Sequence, residues 1–157
     1  MKNATLPVSI GKKLKTQRKT LAIAESCTGG YISHLITSIS GSSSYFTGSV
    51  VAYDNKVKTG ILSVKPATLK KFGAVSAECA SEMVSGILKK FGASCAIATT
   101  GIAGPTGAVP GKPVGTVYIA VATHRQIQVE RFRFKGSRKT VIEQSALKAL
   151  EMLGSVL

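Results

Sequence analysis

Between Leu21 and Gly30 the chain reads Leu21-Ala22-Ile23-Ala24-Glu25-Ser26-Cys27-Thr28-Gly29-Gly30, and the amphipathic stretch Tyr31 to Ile39 follows at once. An apolar run, a polar cluster, two glycines and a helical period specify a buried strand, a tight turn and the start of a helix. That unit is the building block of α/β folds and constrains the chain more than any other segment. It places Ser26, Cys27 and Thr28 at a helix N-terminus, where free backbone N–H groups and the helix dipole favour negative charge. An activated nucleophile, an oxyanion and a bound phosphate all suit such a place.

The rest of the chain extends the same alternation. Val8 to Lys19 has helical spacing, Leu21 to Glu25 is a strand, and Tyr31 to Ser40 is a helix with Ile32, Leu35, Ile36 and Ile39 on one face. Tyr45 to Tyr53 is β-rich, Asp54-Asn55 caps a short helix, and Pro66 to Phe72 forms another. Ser76 opens a helix to about Phe91, with Met83, Ile87 and Leu88 inward, and Ser94 to Thr100 is a strand. Strands near Thr116 to Thr123 and Ile127 to Lys135 follow, then a helix over Arg138 to Val156. The expected fold is α/β: a three-layer α/β/α sandwich around a mixed, mostly parallel central sheet, with residues 1–157 as one domain.

Composition narrows the function classes. With 44% hydrophobic and 18% charged residues the chain is a packed protein rather than a disordered one. No apolar stretch approaches the roughly 20 residues of a membrane span. Residues 1–19 lack the apolar core of a signal peptide, so a cytoplasmic protein is expected. The three cysteines, Cys27, Cys79 and Cys95, are widely spaced and suggest neither a disulfide framework nor a zinc cluster. His34 and His124 have no partners at metal-ligand spacing, and neither a metal nor a cofactor is expected. Twenty-one Lys and Arg against seven acids give a net charge of +14. The basic residues are spread along the chain and not interleaved with aromatics, which argues against a nucleic-acid partner.

Three further segments complement the opening turn at strand ends, where open α/β sheets gather ligands. They are Tyr53-Asp54-Asn55-Lys56-Val57-Lys58, the glycine-rich Thr99-Thr100-Gly101-Ile102-Ala103-Gly104-Pro105-Thr106-Gly107, and Phe134-Lys135-Gly136-Ser137-Arg138. A serine nucleophile at position 26 needs a base, and neither histidine is placed for it: His34 lies inside the following helix and His124 lies beside Arg125. A lysine of lowered pKa serves instead, with Lys58 and Lys56 as candidates and Tyr53 as a relay or orienting group. Cys27 is the rival nucleophile. Glu25 reads equally as a base or as an acceptor for loop N–H groups, and Thr28 as an N-cap. Arg138 is a candidate phosphate clamp. The Gly101 to Gly107 loop has the composition of a phosphate cradle without the Gly-Lys-Ser/Thr ending of a P-loop.

Together these segments, with Gly73-Ala74-Val75-Ser76 and Lys112-Pro113-Val114-Gly115-Thr116-Val117, resemble the CinA C-terminal domain family, whose enzymatic members are nicotinamide-nucleotide amidases. The resemblance runs from about Leu14 to Leu153. It implies metal-free hydrolysis of the carboxamide of nicotinamide mononucleotide to nicotinate mononucleotide and ammonia. Carried over by motif, Ser26 is the nucleophile, Lys58 the base and Tyr53 a supporting group. The turn at Cys27, Thr28 and Gly29 provides oxyanion donors. Glu25, Thr100, Gly101, Gly104 and Thr106 contribute to substrate binding, with Arg138 near the phosphate. A homo-oligomer is implied as well. In one respect the sequence departs from the amidase members: Val141-Ile142-Glu143 stands where further arginines are expected. Two other classes stay open, a catalytically degenerate nucleotide-binding or regulatory member and a nucleic-acid-associated protein.

Overall fold

The computed structural model describes residues 2–157, with side chains from Thr5 onward. Five strands, β1 (Leu21–Glu25), β2 (Phe46–Val51), β3 (Cys95–Gly101), β4 (Thr116–Thr123) and β5 (Ile127–Arg133), form one sheet in the order β2-β1-β3-β4-β5. β2, β1 and β3 are parallel neighbours, whereas β4 is antiparallel to both β3 and β5. Four strands therefore point one way and β4 the other. The helices are α1 (Lys2–Thr16), α2 (Tyr31–Thr37), α3 (Asn55–Leu62), α4 (Pro66–Phe72), α5 (Ala77–Phe91) and α6 (Arg138–Val156). None is long and apolar enough to cross a membrane among the described residues.

Strand alternation sorts the core into two unlike layers. One face carries Leu21, Ile23, Cys95, Ile97, Val117, Ile119 and Val121, packed against α1, α2 and α6. The other is built in the three central strands on two cross-strand rows of alanine, Ala22–Ala96–Ala122 and Ala24–Ala98–Ala120, with Tyr118 of β4 partly buried beside them. A surface of methyl groups lets a helix approach closely. α5 takes that place through Cys79, Ala80, Met83, Val84 and Ile87, and Leu62 and Val64 from the α3–α4 region join it. At Gly86 the approach of α5 to α3 is so close that a Cβ would collide with the Leu62 carbonyl. The three layers thus follow from the strand periodicity.

The observed boundaries follow the expected ones with two physical exceptions. α1 begins at Lys2 rather than Val8 and continues through Pro7. α2 stops at Thr37, because Ser38 closes it with backbone bonds to His34 and Ile36 and Gly41 then turns the chain at φ 78°. Asp54 caps α3 by accepting from the Lys56 N–H at 2.7 Å, and Ser76 caps α5 by accepting from the Cys79 N–H at 3.1 Å. Thr28 is not a cap: Gly30, at φ 99°, holds that position before α2. The Thr28 hydroxyl instead pairs with that of Thr99 at 2.7 Å.

Candidate active site

The turn from β1 into α2 is held from below by Glu25. Its buried carboxylate accepts from the backbone N–H groups of Gly30, Ile32 and Ser33 at 3.0, 3.1 and 2.9 Å, and from the Ser33 hydroxyl at 2.6 Å. The positive end of α2 is therefore occupied by the protein's own anion. This corrects the substrate-binding role expected of Glu25, which is fully covered with both oxygens engaged. It also leaves Ser26, Cys27 and Thr28 on a braced turn. The Gly29 N–H is spent on the Ser26 carbonyl at 3.1 Å, which removes it from the expected oxyanion donors. The Thr28 N–H has no protein acceptor among the described residues, and that of Cys27 meets only its own thiol sulfur.

Above the turn lies a cavity of about 240 Å³ lined by residues from the opening turn, the three strand-end segments and the 73–76 segment: Ser26 and Cys27, Tyr53, Asn55 and Lys58, Ala74 and Val75, Thr100, Gly101, Ala103 and Arg138. Larger hollows, of about 500 and 690 Å³, lie elsewhere and also carry serines beside Lys, Glu or His, but none of the lysines that line them is buried. Lys58 is only 2% exposed. Its ammonium donates to the Ala52 carbonyl at 2.8 Å and to the Tyr53 carbonyl at 3.4 Å. Desolvation holds its pKa below the ordinary lysine value, opposed by the neighbouring Cys79, Asp54 and Cys27. A neutral amine with two N–H groups on those carbonyls has its lone pair directed elsewhere. Ser26 and Lys58 share the cavity without being hydrogen-bonded to each other.

Cys27 is placed less favourably as a nucleophile. Burial pushes its thiol up to about 12, with the Glu25 charge adding to the effect. The thiolate that would attack is scarce at neutral pH. Lys56 lies on the exposed side of α3 and does not line the cavity, which leaves Lys58 as the base candidate.

The mouth of the cavity is spanned by Arg138. Its guanidinium donates to the Tyr53 hydroxyl at 2.7 Å and to the Gly104 carbonyl at 2.9 Å, joining the α3 entry to the glycine-rich loop. Tyr53 is 60% exposed there. Thr100 lines the wall, its hydroxyl donating to the Ala74 carbonyl at 2.7 Å. Gly101 must be glycine, because a Cβ would meet the Thr116 carbonyl at 2.6 Å. Gly104 takes part through its carbonyl, whereas Thr106 and Gly29 are exposed and outside the lining. Val141 and Ile142 turn into the core, so two of the three positions after Arg138 do not address the cavity; Glu143 sits 3.9 Å from Lys139.

Asn55, Ala74, Val75 and Ala103 are lining residues that sequence reasoning did not assign to the site. Asn55 sits beside the Asp54 cap, and Ala74 and Val75 belong to a segment noted only for its pattern. No group of three or more His, Cys, Asp or Glu is arranged to hold a metal ion among the described residues.

Residues 3–157 match the family model described as the CinA C-terminal domain. A CinA-like protein of Cytophaga hutchinsonii is 46% identical over 149 residues, which are 95% of this chain and 36% of that protein. A CinA-like protein of Thermotoga maritima is 50% identical over 140 residues, 89% of this chain and 34% of its own length. The chain thus spans about a third of the length of these relatives. Among solved structures, the competence/damage inducible protein CihA from Agrobacterium tumefaciens superposes with a TM-score of 0.97 at 35% identity, covering 99% of this chain and 96% of that one. A CinA superfamily protein from Escherichia coli gives 0.95 at 30% identity, with 99% and 90% covered. The matched residues include every segment that lines the cavity, and with agreement of sequence and fold over nearly the whole length the chain belongs to the CinA C-terminal domain family.

Proposed function

We propose that this chain is an amidohydrolase that converts nicotinamide mononucleotide to nicotinate mononucleotide and ammonia, with Ser26 as nucleophile and Lys58 as base. One observation carries the reading. A serine on a braced turn and a buried lysine of lowered pKa open onto the same cavity. The resemblance to nicotinamide-nucleotide amidases supplies the substrate.

The cycle follows from that arrangement. Neutral Lys58 takes the Ser26 proton as Oγ bonds to the carboxamide carbon, and the carbonyl π electrons move onto oxygen. The N–H groups of Cys27 and Thr28 receive the oxyanion, each well-placed donor contributing roughly 3 kcal/mol. Collapse breaks the C–N bond, Lys58 returns the proton to the leaving nitrogen, and ammonia departs. Water then attacks the ester, again with Lys58 as base. The nicotinate leaves and Ser26 regains its proton. No metal or organic cofactor enters. The amine moves towards Ser26 when substrate fills the cavity, since catalytic hydrogen bonds often tighten only in the substrate complex. Arg138 is positioned for the phosphate, its bond to Tyr53 linking the supporting phenol to substrate capture.

Ammonia release from nicotinamide mononucleotide, measured for the native chain beside Ser26→Ala and Lys58→Ala, tests this. Turnover lost in both variants is expected; equal turnover in either refutes its assigned role. A silent nucleotide binder is the reading favoured by the separation of Ser26 from Lys58. Tight nucleotide binding without ammonia release identifies it.

A further inference from the structure

Along the sequence the basic residues look dispersed, but the fold gathers three separated groups at the end of the sheet opposite Ser26. β1 and β3 begin there and β4 finishes there: the Cys95 N–H donates to the Thr20 carbonyl at 3.0 Å, and Cys95 pairs with Thr123. α1, α5 and α6 all have their C-termini at this end. It therefore carries Lys15, Arg18 and Lys19 from the α1 exit, Lys89 and Lys90 from the last turn of α5, and Arg125 from the β4–β5 hairpin. Segments 12–20, 88–95 and 121–126 contain no acidic residue. None of the six cations forms an ion pair among the described residues. Glu25, Asp54 and Glu78 lie at the other end, at the finish of β1 and the starts of α3 and α5.

Helix dipoles account for part of this. Three C-termini at roughly −0.5 charge each call for about two compensating lysines, and six cations exceed that. Lys19 and Arg125 also share a hollow of about 690 Å³ with Ser94, Thr123 and His124, so the surface is concave at its centre. The exposed Tyr53 and Phe72 lie at the opposite end, and among the described residues no phenylalanine or tyrosine is exposed here to stack bases; the exposed apolar side chain at this end is Ile127.

We propose that this end is a docking face for the phosphate backbone of duplex nucleic acid, independent of base sequence and separate from the amidase cavity. Point charges spread over three elements match a repeating row of phosphates, and the missing aromatics fit backbone contact without base readout.

The test is fluorescence anisotropy with two 25-base-pair DNA duplexes of unrelated sequence, from 50 to 200 mM salt. Six contacts give a slope of log K against log salt near about −5, so affinity falls about a thousand-fold across that range. Arg18→Gln, Lys19→Gln and Arg125→Gln combined bring the slope to about −3 and the fall to about forty-fold. A control triple, Lys70→Gln, Lys71→Gln and Lys135→Gln, carries the same net charge at the other end and leaves the slope unchanged. Equal weakening by both triples refutes a located face, and so does the absence of duplex binding at 50 mM salt. Preference for phosphatidylserine vesicles over duplex at equal salt also overturns the assignment.

Discussion

Glu25→Gln is the sharpest perturbation the structure offers, because it changes one atom at a fully enclosed position. The carboxylate takes four donors, three of them backbone N–H groups at the start of α2. A glutamine keeps one acceptor oxygen, which serves one side of that set. Its NH₂ then faces N–H groups that water cannot reach, since the side chain is 0% exposed. Two charge-assisted bonds are lost, at roughly 1.5–3 kcal/mol each, and two buried donors are left unsatisfied. Partial relaxation of the turn returns some of that, so the net cost is about 3–5 kcal/mol, the range for breaking a buried charged arrangement. For a chain of this size each kcal/mol moves Tm by about 2–4 °C, giving a drop of about 6–20 °C.

Calorimetric and urea-induced unfolding of native and variant chains reads that cost directly. Ser33→Ala is the internal scale: it removes one of the four donors, leaves the three backbone N–H groups paired, and costs about 1 kcal/mol. A Glu25→Gln variant that unfolds within about 3 °C of the native chain would refute the reasoning, because the carboxylate would not be holding the turn. A Ser33→Ala cost as large as that of Glu25→Gln would relocate the effect to the hydroxyl. In the proposed amidase the loosened turn also lowers kcat more than it raises KM, since Ser26 and the Cys27 and Thr28 N–H groups lose their fixed geometry.

The lowered pKa of Lys58 fixes two pH trends. Amide hydrolysis rises as pH passes through a midpoint below the ordinary lysine value of 10.5, measured as kcat/KM against pH. The folded chain releases this proton at lower pH than the unfolded chain, so between the two values stability rises with pH; Lys58→Met removes that slope and abolishes turnover. Cys27→Ala keeps most of the turnover, and iodoacetamide at pH 8 leaves the native chain largely unlabelled at Cys27, because its thiol is pushed up to about 12. Gly86→Ala gains up to about 1 kcal/mol of helix propensity but drives a methyl group into the Leu62 carbonyl, for a net loss of about 2 kcal/mol in urea unfolding. A neutral or stabilising outcome contradicts the close α3–α5 contact.

Local patterns made much of this architecture legible. β1, β4, α4 and α6 have the expected boundaries because each is bracketed by its own signal, such as Pro66 at the start of α4 and Ser137 before α6. The helical spacing from Val8 marks only the later part of α1, which begins at Lys2 and runs through Pro7. The opening turn was readable as an anion-favouring helix start, but the occupant was not. Nothing in Ala24-Glu25-Ser26 says whether the carboxylate faces a ligand or folds back onto Gly30, Ile32 and Ser33. The bridge from Arg138 to Tyr53 joins residues 85 positions apart and has no local signature. The clustering of Lys19, Lys90 and Arg125 was hidden for the same reason: it depends on which strand ends meet.

The reactivity expected of Lys58 is itself a product of packing. A lysine gives up its proton easily when burial outweighs the anions near it. Here the two alanine rows let α5 settle close to the sheet, and α3 closes against α5 at Gly86. Three groups favour the ammonium, Cys79, Asp54 and Cys27, and desolvation outweighs them. The two thiols are themselves buried and pushed up to about 11 and about 12. Glu25 is engaged by the start of α2, and the carboxylate that does act on Lys58 is Asp54. The Glu25 carboxylate serves the site by bracing the turn under Ser26. Close packing on an alanine surface is thus enough to bury a lysine and lower its pKa, the state that the proposed role of Lys58 requires.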